Sequence, residues 1–264
     1  MITLTINGNP IQAAESMTVL EAAQQEGIYI PTLCYLKALG PFGVCRLCIV
    51  EAYGPGLIPA ILPSCNLKVF DGLIIKTDSA IIHEMRRTMI ELLLASTSLT
   101  ESLKELALKF GVKASGFMTT KKDLCILCGL CVRVCRDRIG ASALSLEGSN
   151  SNEHVVAEEI QMDKTACIGC GTCANICPMQ AIRLEDMESE RKIVLYGEVA
   201  SSFELIKCDM CGIPHTTQKF IDSVVSRLTE EQKKGFKNLC PECARLYYAE
   251  SLTGQFPADV QGNG

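Results

Sequence analysis

The sequence predicts an α+β fold arranged in four consecutive segments, and three patterns support this prediction. Short runs of alternating apolar and polar residues at the amino terminus indicate a sheet. Leucines at helical spacing indicate helices farther along the chain. The 16 cysteines fall into groups of four. The predicted segments are residues 1–78, 79–116, 117–187 and 188–264.

Composition and charge restrict the possible function classes. The 264 residues carry a formal net charge of −5, which argues against nucleic acid or an anionic membrane surface as partner, because such partners select basic patches. No run approaches the roughly 18 apolar residues of a membrane span. MITLTINGNPIQ has neither the basic start nor the apolar core of a signal peptide, so we expect a cytoplasmic protein. Thiols stay reduced there, and the many cysteines therefore predict metal ligation rather than disulfides.

Residues 1–78 are predicted to form a small mixed sheet. ITLTI and NPIQA are two strands around an Asn7-Gly8 turn, and MTVLEAAQQEG is a short helix that ends at Gly27. GVCRLCIVEAYG continues as a strand, and GLIIKT closes the sheet. This order predicts a β-grasp domain with a metal-binding loop at one edge.

The loop of this first segment carries four cysteines with the spacing C-x10-C-x2-C-x16-C. This spacing is related to the plant-type pattern for a [2Fe–2S] cluster, although the first gap is longer. The alternative is a β-grasp fold with incidental cysteines. We assign a [2Fe–2S] cluster to Cys34, Cys45, Cys48 and Cys65.

Two runs in the third segment, CILCGLCVRVC and CIGCGTCANICP, share the spacing C-x2-C-x2-C-x3-C. Three closely spaced cysteines reach three irons of one [4Fe–4S] cluster, whereas the fourth points toward the neighbouring cluster. Gly129, Gly169 and Gly171 allow the backbone to curl around each cluster. Structural cysteines or zinc knuckles are the alternative, and a chance repeat of this spacing is very improbable. We assign one [4Fe–4S] cluster to Cys125, Cys128, Cys131 and Cys177, and the other to Cys135, Cys167, Cys170 and Cys173.

These motifs resemble known electron-transfer proteins. The double run resembles a bacterial-type two-cluster ferredoxin domain, and GVCRLCIVE resembles the amino-terminal [2Fe–2S] domain of the large iron–sulfur subunit of respiratory complex I. The same domain recurs in NAD-linked hydrogenases and formate dehydrogenases, where it precedes a two-cluster domain. The resemblance implies an electron-transfer subunit whose partners are a flavin-containing NAD(P)H-binding subunit and a catalytic or ferredoxin-reducing subunit.

The second segment departs from those families. The relatives hold a further [4Fe–4S] cluster there with one histidine and three cysteines, whereas no cysteine lies between Cys65 and Cys125 in this chain. His83 is therefore predicted to be an ordinary surface or packing histidine. We predict a helical connector without metal, with apolar residues at helical spacing at Leu99, Leu103, Leu106 and Phe110. Without that cluster, the relay is either broken or requires direct contact between the remaining groups, and we expect the [2Fe–2S] domain to face a partner or to move.

No catalytic residues are predicted. The sequence contains no glycine-rich dinucleotide loop, no phosphate loop and no arrangement of serine, histidine and aspartate typical of a hydrolase. We expect an electron-transfer subunit of a cytoplasmic multi-subunit oxidoreductase, such as an electron-bifurcating transhydrogenase, a hydrogenase or a formate dehydrogenase. A free-standing polyferredoxin carrier and an iron–sulfur redox sensor are the alternatives.

The fourth segment carries the pattern C-x2-C-x28-C-x2-C at Cys208, Cys211, Cys240 and Cys243. Two such pairs around a predicted helix, FIDSVVSRLTEEQ, are typical of a structural zinc site. KCDMC also resembles a [4Fe–4S] segment of molybdenum and tungsten oxidoreductases, although their closing pair usually has three intervening residues. On balance the sequence favours a fourth [4Fe–4S] cluster, with zinc as the alternative. His215 is not needed as a ligand, because four cysteines already suffice.

The charged stretches 185–192 and 229–234 are expected to be solvated.

Overall fold

The computed structural model describes residues 1–97, 99–113, 117, 125–151 and 154–253. Within these residues, the helices are too short or too polar to cross a lipid bilayer.

A five-stranded mixed sheet forms the amino-terminal part of the fold. Its strand order is β2-β1-β5-β3-β4, with β1 parallel to β5 and the other pairs antiparallel. The predicted hairpin, helix and later strands are all present, and β4 is an additional strand that the sequence patterns did not predict. Helix α1 begins at a capping box, in which Thr18 and Glu21 satisfy each other's backbone N–H groups. The elements are β1 (Ile2–Ile6), β2 (Asn9–Ala13), α1 (Val19–Gln25), β3 (Ile49–Gly54), β4 (Leu57–Pro63) and β5 (Ile74–Lys76).

Two helices follow the sheet, α2 (Ala80–Ser96) and α3 (Glu101–Lys109). Leu103 and Leu106 are buried, as their spacing predicts. Leu99 does not belong to this helical face: it precedes α3 and is 56% exposed. The helix begins only after Thr100, whose extended backbone ends the preceding turn.

The third segment holds its cysteines in short helices on either side of a hairpin. Helix α4 (Leu130–Val134) continues into a π-helical turn at Cys135–Ile139, and α5 (Thr172–Asn175) follows the second run. The hairpin of β6 (Leu144–Ser151) and β7 (His154–Met162) lies between the two cysteine runs. The sequence patterns did not predict this hairpin.

A second sheet joins the third and fourth segments. Its order is β11-β10-β9-β8, and the predicted boundary between residues 187 and 188 falls in the turn of the β8–β9 hairpin. The predicted helix between the two cysteine pairs is two helices, because Thr229 caps a new helix. The elements are β8 (Ile182–Met187), β9 (Glu190–Leu195), β10 (Glu198–Lys207), β11 (Pro214–Thr217), α6 (Gln218–Val225), α7 (Glu230–Lys234) and α8 (Pro241–Thr253).

The charged stretch 185–192 is not wholly solvated. Arg191 is only 8% exposed, and its guanidinium forms two hydrogen bonds of 2.8 and 2.7 Å with the Asp186 carboxylate. Pairing with this carboxylate and with backbone carbonyls makes burial of the charge tolerable. The stretch 229–234 forms the surface helix α7, which has no buried residues.

Candidate metal centres

The four cysteines of the first segment lie in two close pairs. The Sγ atoms of Cys34 and Cys45 are 3.3 Å apart, and those of Cys48 and Cys65 are 3.4 Å apart. All four side chains are buried. Two thiolates for each of two irons is the ligand distribution of a [2Fe–2S] cluster.

Each pair contains one thiol that loses its proton easily. The S–H of Cys34 donates to Cys45 and lowers the pKa of the Cys45 thiol to about 5, and the Leu33 N–H also donates to this sulfur. Cys65 similarly lowers the pKa of Cys48 to about 7. The pKa values of the other member of each pair, Cys34 and Cys65, are raised. Since thiolates are the form that binds metal, each pair has one ligand already disposed to bind.

Arg86 of helix α2 holds the loop of this site. Its guanidinium donates to the carbonyls of Leu47 at 3.0 Å, Ile49 at 2.8 Å and Thr77 at 2.9 Å, and the residue is 2% exposed. Leu47 lies between Cys45 and Cys48. The connector, which has no cysteine of its own, therefore positions the ligands of the neighbouring site.

The cysteines of the two ferredoxin-like runs divide between two apolar cavities. In each cavity, three cysteines come from one run and the fourth comes from the other run, which is the crossed grouping that the spacing predicts. The first cavity is lined by Cys125, Cys128, Cys131 and Cys177, and the second by Cys135, Cys167, Cys170 and Cys173.

Local backbone geometry shapes these two cavities. Gly129, Gly169 and Gly171 have φ values of +69°, +71° and +73°, in the left-handed region that glycine adopts most readily. Backbone N–H groups point at the sulfurs: Leu127 N lies 3.2 Å from Cys125 Sγ, and Ala143 N lies 3.3 Å from Cys135 Sγ.

Burial disfavours the charged form of these thiols. It raises the pKa of Cys128 to about 11 and that of Cys173 to about 12, and it also raises the pKa of Cys131. Binding of a metal group by these thiolates would therefore release protons.

The first and third segments are in direct contact. Cys34, Cys45 and Cys128 belong to one apolar core, together with Leu130 and Met179. The [2Fe–2S] site and the first ferredoxin-like site therefore share an interior, which agrees with the direct-contact alternative raised by the missing histidine-ligated cluster.

A loop of the first segment lies against the first ferredoxin-like run. A Cβ built on Gly129 would lie 3.0 Å from the Phe42 ring. Arg133 of α4 stacks over that ring at 5.0 Å and donates to the carbonyls of Leu39 and Gly40. These contacts attach residues 39–42 to the helix that carries Cys131.

The second cavity is held by the carboxy-terminal sheet. Arg191 donates to the carbonyl of Gly169 at 3.1 Å, and Thr217 donates to the carbonyl of Ile168. A Cβ on Gly169 would lie 2.6 Å from Thr217 Cγ2, so only glycine fits there. The sheet thus packs directly on the loop between Cys167 and Cys170.

The four carboxy-terminal cysteines come together as the sequence predicts. The Sγ atoms of Cys208, Cys211, Cys240 and Cys243 all lie within 4.8 Å of one another. His215 is not a member of this group. The His215 carbonyl accepts a hydrogen bond from Arg191, and burial lowers the pKa of its imidazole.

His83 of the connector is half exposed, lies against the Phe110 ring and pairs with Asp78, as expected for a surface residue.

Sequence reasoning missed the arginines that position the cysteine loops. For Arg86 a signal is present, because Ile82, Arg86 and Ile90 follow at four-residue intervals and an arginine thus occupies an apolar helical stripe. Arg133 and Arg191 carry no such signal, since their acceptors are backbone carbonyls far away in the sequence.

Comparison with family models identifies two domains. Residues 1–80 match the model described as a 2Fe-2S iron-sulfur cluster binding domain, and residues 159–182 match a 4Fe-4S binding domain. Both kinds of cluster-binding domain are therefore present in the chain.

Curated proteins with similar sequences are components of larger enzymes. The chain is 32% identical over 214 residues to the HndD subunit of the NADP-reducing hydrogenase of Solidesulfovibrio fructosivorans, a match that covers 69% of this chain and 36% of that protein. It is 27% identical over 208 residues to the mitochondrial NADH dehydrogenase iron-sulfur protein 1 of Solanum tuberosum. That match covers 69% of this chain and 27% of the Solanum protein. The chain thus spans about a quarter to a third of the length of these relatives.

A solved structure matches over a larger share of its own length. A chain in the crystal structure of an NAD+-reducing [NiFe]-hydrogenase in the H2-reduced state is 34% identical, with a TM-score of 0.51. The match covers 56% of the present chain and 71% of that chain.

Proposed function

Because this chain belongs to the family of iron–sulfur electron-transfer subunits represented by the NAD+-reducing hydrogenase chain and the mitochondrial NADH dehydrogenase iron-sulfur protein 1, we propose that it relays electrons inside an NAD(P)H-linked multi-subunit oxidoreductase. Its partners would be a flavin-containing NAD(P)H-binding subunit and a catalytic or ferredoxin-reducing subunit, in the cytoplasm. The chain itself would carry no bond-making chemistry.

Twelve cysteines provide the proposed relay. Iron–sulfur clusters bound there would exchange single electrons. The proposed ligands are Cys34, Cys45, Cys48 and Cys65 for a [2Fe–2S] cluster; Cys125, Cys128, Cys131 and Cys177 for a first [4Fe–4S] cluster; and Cys135, Cys167, Cys170 and Cys173 for a second [4Fe–4S] cluster.

The observation that carries this proposal is the shared core of Cys34, Cys45 and Cys128. Electron tunnelling weakens steeply with distance, so a relay requires neighbouring sites in close contact. Here the contact is made directly between the first two sites, without the additional cluster of the relatives.

The second step of the relay has similar support. Cys131 of the first cavity packs in one core with Cys135, Cys167 and Cys173 of the second. Since the helical residues from Cys131 to Cys135 connect the two cavities, the chain holds both sites at a fixed separation. The protein residues also tune the sites, because backbone N–H groups donated to the sulfurs and burial in apolar surroundings alter the reduction potential.

Cluster content provides the first test. We expect anaerobically purified chain to contain about ten irons in these three clusters and to show, after reduction, electron paramagnetic resonance signals of one [2Fe–2S] and two [4Fe–4S] centres. A chain that lacks iron, or that holds only one kind of cluster, would contradict the proposal.

Partner dependence provides the second test. We expect a tagged chain to co-purify from its own cells with a flavin-containing subunit, and NAD(P)H to reduce its clusters only when that subunit is present. A stable monomer with full cluster content and no such partner would favour the free-standing carrier. Rapid reduction of the isolated chain by NAD(P)H would contradict the assignment of nicotinamide oxidation to another subunit.

A further inference from the structure

We propose that Cys208, Cys211, Cys240 and Cys243 bind a single zinc ion, rather than the fourth [4Fe–4S] cluster that the sequence favours. The site would be structural, and it lies outside the proposed electron relay. Four kinds of observation support this assignment.

The spacing of the sulfurs differs among the metal sites of this chain. In the [2Fe–2S] site they form two pairs, at 3.3 and 3.4 Å. In the two ferredoxin-like sites they are distributed around the walls of apolar cavities. Within the described residues, only the carboxy-terminal cysteines bring four sulfurs within 4.8 Å of one another.

A single ion explains this close approach. Four thiolates at about 2.3 Å from a tetrahedral zinc lie about 3.8 Å from each other. The Sγ atoms of Cys211 and Cys240 are 3.8 Å apart. On a [4Fe–4S] cluster, by contrast, each thiolate binds a different iron, and the bridging sulfides hold these irons apart. The ligands of such a cluster must therefore stand farther from one another.

Backbone hydrogen bonds at the site support the same conclusion. Cys208 Sγ accepts from the N–H groups of Met210 at 3.4 Å and Cys240 at 3.3 Å, and Cys240 Sγ accepts from Cys243 N at 3.4 Å. Donated N–H groups stabilise the negative charge that gathers on four thiolates around one divalent ion. Gly212, with a φ of +73°, closes the turn that contains Cys211, because its N–H donates to the Cys208 carbonyl at 3.0 Å.

The two cysteine pairs are also fixed to each other by protein contacts. Asn238 donates from its backbone to Asp209 Oδ2 at 2.8 Å and from its side chain to the Lys207 carbonyl at 2.9 Å. Asp209 N in turn donates to the Asn238 carbonyl at 2.9 Å. These bonds hold the β10–β11 turn against the start of α8 and preserve the narrow spacing of the sulfurs.

This site has few apolar residues around it, unlike the two ferredoxin-like cavities. The core at this site consists of Cys208, Cys240 and Cys243 with Leu239 packed against them, whereas Cys211 is exposed. The two ferredoxin-like cavities have extensive apolar walls instead. A closed four-cysteine zinc site needs no such wall, because its ligands complete the coordination of the ion.

Metal analysis of the complete wild-type chain tests the proposal. The protein would be purified anaerobically from cells supplied with both iron and zinc. We expect about one zinc and about ten irons per chain, and zinc X-ray absorption with four sulfurs at about 2.3 Å. About fourteen irons without zinc would overturn the proposal, and so would an eleventh iron with the signal of a mononuclear ferric site. The zinc count tests this site, and the iron of the first three clusters tests the relay.

Matched cysteine variants locate the ion. We expect Cys211→Ser to lower zinc from about one equivalent to well below half, with the iron count unchanged under anaerobic conditions. Cys125→Ser, the control, should reduce the iron and leave zinc in place. Loss of iron together with an unchanged zinc content in Cys211→Ser would overturn the assignment. If this variant precipitates, the absorption spectrum of the wild-type chain still decides the question.

Discussion

At the residue scale, the three proposed iron–sulfur sites share one feature: an arginine side chain that donates hydrogen bonds to backbone carbonyls of a nearby loop. Arg86 donates to the carbonyl of Leu47, beside the proposed [2Fe–2S] ligands. Arg133 donates to the carbonyls of Leu39 and Gly40, in the loop that packs on the first ferredoxin-like run. Arg191 donates to the carbonyl of Gly169, which lies between two proposed ligands of the second ferredoxin-like site. A guanidinium has five donors in a fixed plane, so one side chain satisfies carbonyls from several strands or loops. These loops lack regular secondary structure, and the arginines supply the hydrogen bonds that a sheet would otherwise give.

Replacement of Arg86 by methionine tests this role. The change should lower the free energy of unfolding by about 3 kcal/mol or more, because three buried carbonyls lose their donors. Denaturant unfolding of the full chain measures the effect, and Arg87→Met on the exposed side of the same helix is the control. Equal midpoints for the two variants would show that the buried hydrogen bonds contribute little.

Gly129 provides a second test at this scale. Gly129→Ala places a Cβ at a φ of +69° and 3.0 Å from the Phe42 ring, whereas Gly197→Ala has a φ of +91° with no atom within 4 Å. Both variants bear a backbone cost of about 1–2 kcal/mol. Only Gly129→Ala should also displace Phe42 and reduce the iron content of the first ferredoxin-like site. Similar iron loss in both variants would contradict the importance of the contact.

At the scale of elements, the connector helices and the loop of residues 39–42 join the first and third segments by packing. The two helices contribute Ile90, Leu103 and Leu106 to one apolar core. The same core continues to Cys45 and Cys128. The elements that flank the connector are therefore drawn together, and the proposed relay is shortened by one site.

The contact between α4 and this loop should control the first proposed electron transfer. Arg133→Met removes the donors to Leu39 and Gly40 and the stacking on Phe42, so we expect slower electron transfer from the [2Fe–2S] site to the first [4Fe–4S] site. Freeze-quench electron paramagnetic resonance after rapid reduction measures the rate of this electron transfer. Arg136→Met, whose exposed partner is Asp137, is the matched control. Unchanged kinetics with intact clusters in Arg133→Met would argue that this loop does not set the distance.

On the scale of the whole molecule, the second sheet connects the four carboxy-terminal cysteines to the second cavity. Strand β10 runs into Lys207 beside Cys208, and β11 ends at Thr217, which donates to the Ile168 carbonyl. Arg191 on the neighbouring strand reaches both Gly169 and His215. Metal binding at one end of the sheet should therefore stabilise the loop at the other end.

Zinc removal provides the corresponding prediction. In Cys211→Ser, the second [4Fe–4S] cluster should be lost several-fold faster on exposure to air than in the wild-type chain, while the first is lost at the usual rate. The loss of each cluster is measured from the decay of its own electron paramagnetic resonance signal. Equal acceleration at both sites would indicate general destabilisation rather than coupling through the sheet.

The sequence predicted the local features well, because cysteine spacing and turn residues carry local rules. The Asn7-Gly8 hairpin, helix α1 and the grouping of the carboxy-terminal cysteines belong to this class. The burial of Arg191, the added strand β4 and the β6–β7 hairpin depend instead on distant partners. The sequence also does not predict how closely the four carboxy-terminal sulfurs approach one another in space, which is the observation behind the proposed zinc assignment.

The crossed grouping of cysteines has a consequence for biosynthesis. Cys125, Cys128 and Cys131 leave the ribosome well before Cys177, and Cys135 likewise precedes the cysteines with which it shares a cavity. Neither cavity can close on a newly made amino-terminal fragment. Iron delivery to both would have to wait for the same late event, the emergence of the second run, so the two cavities should mature together.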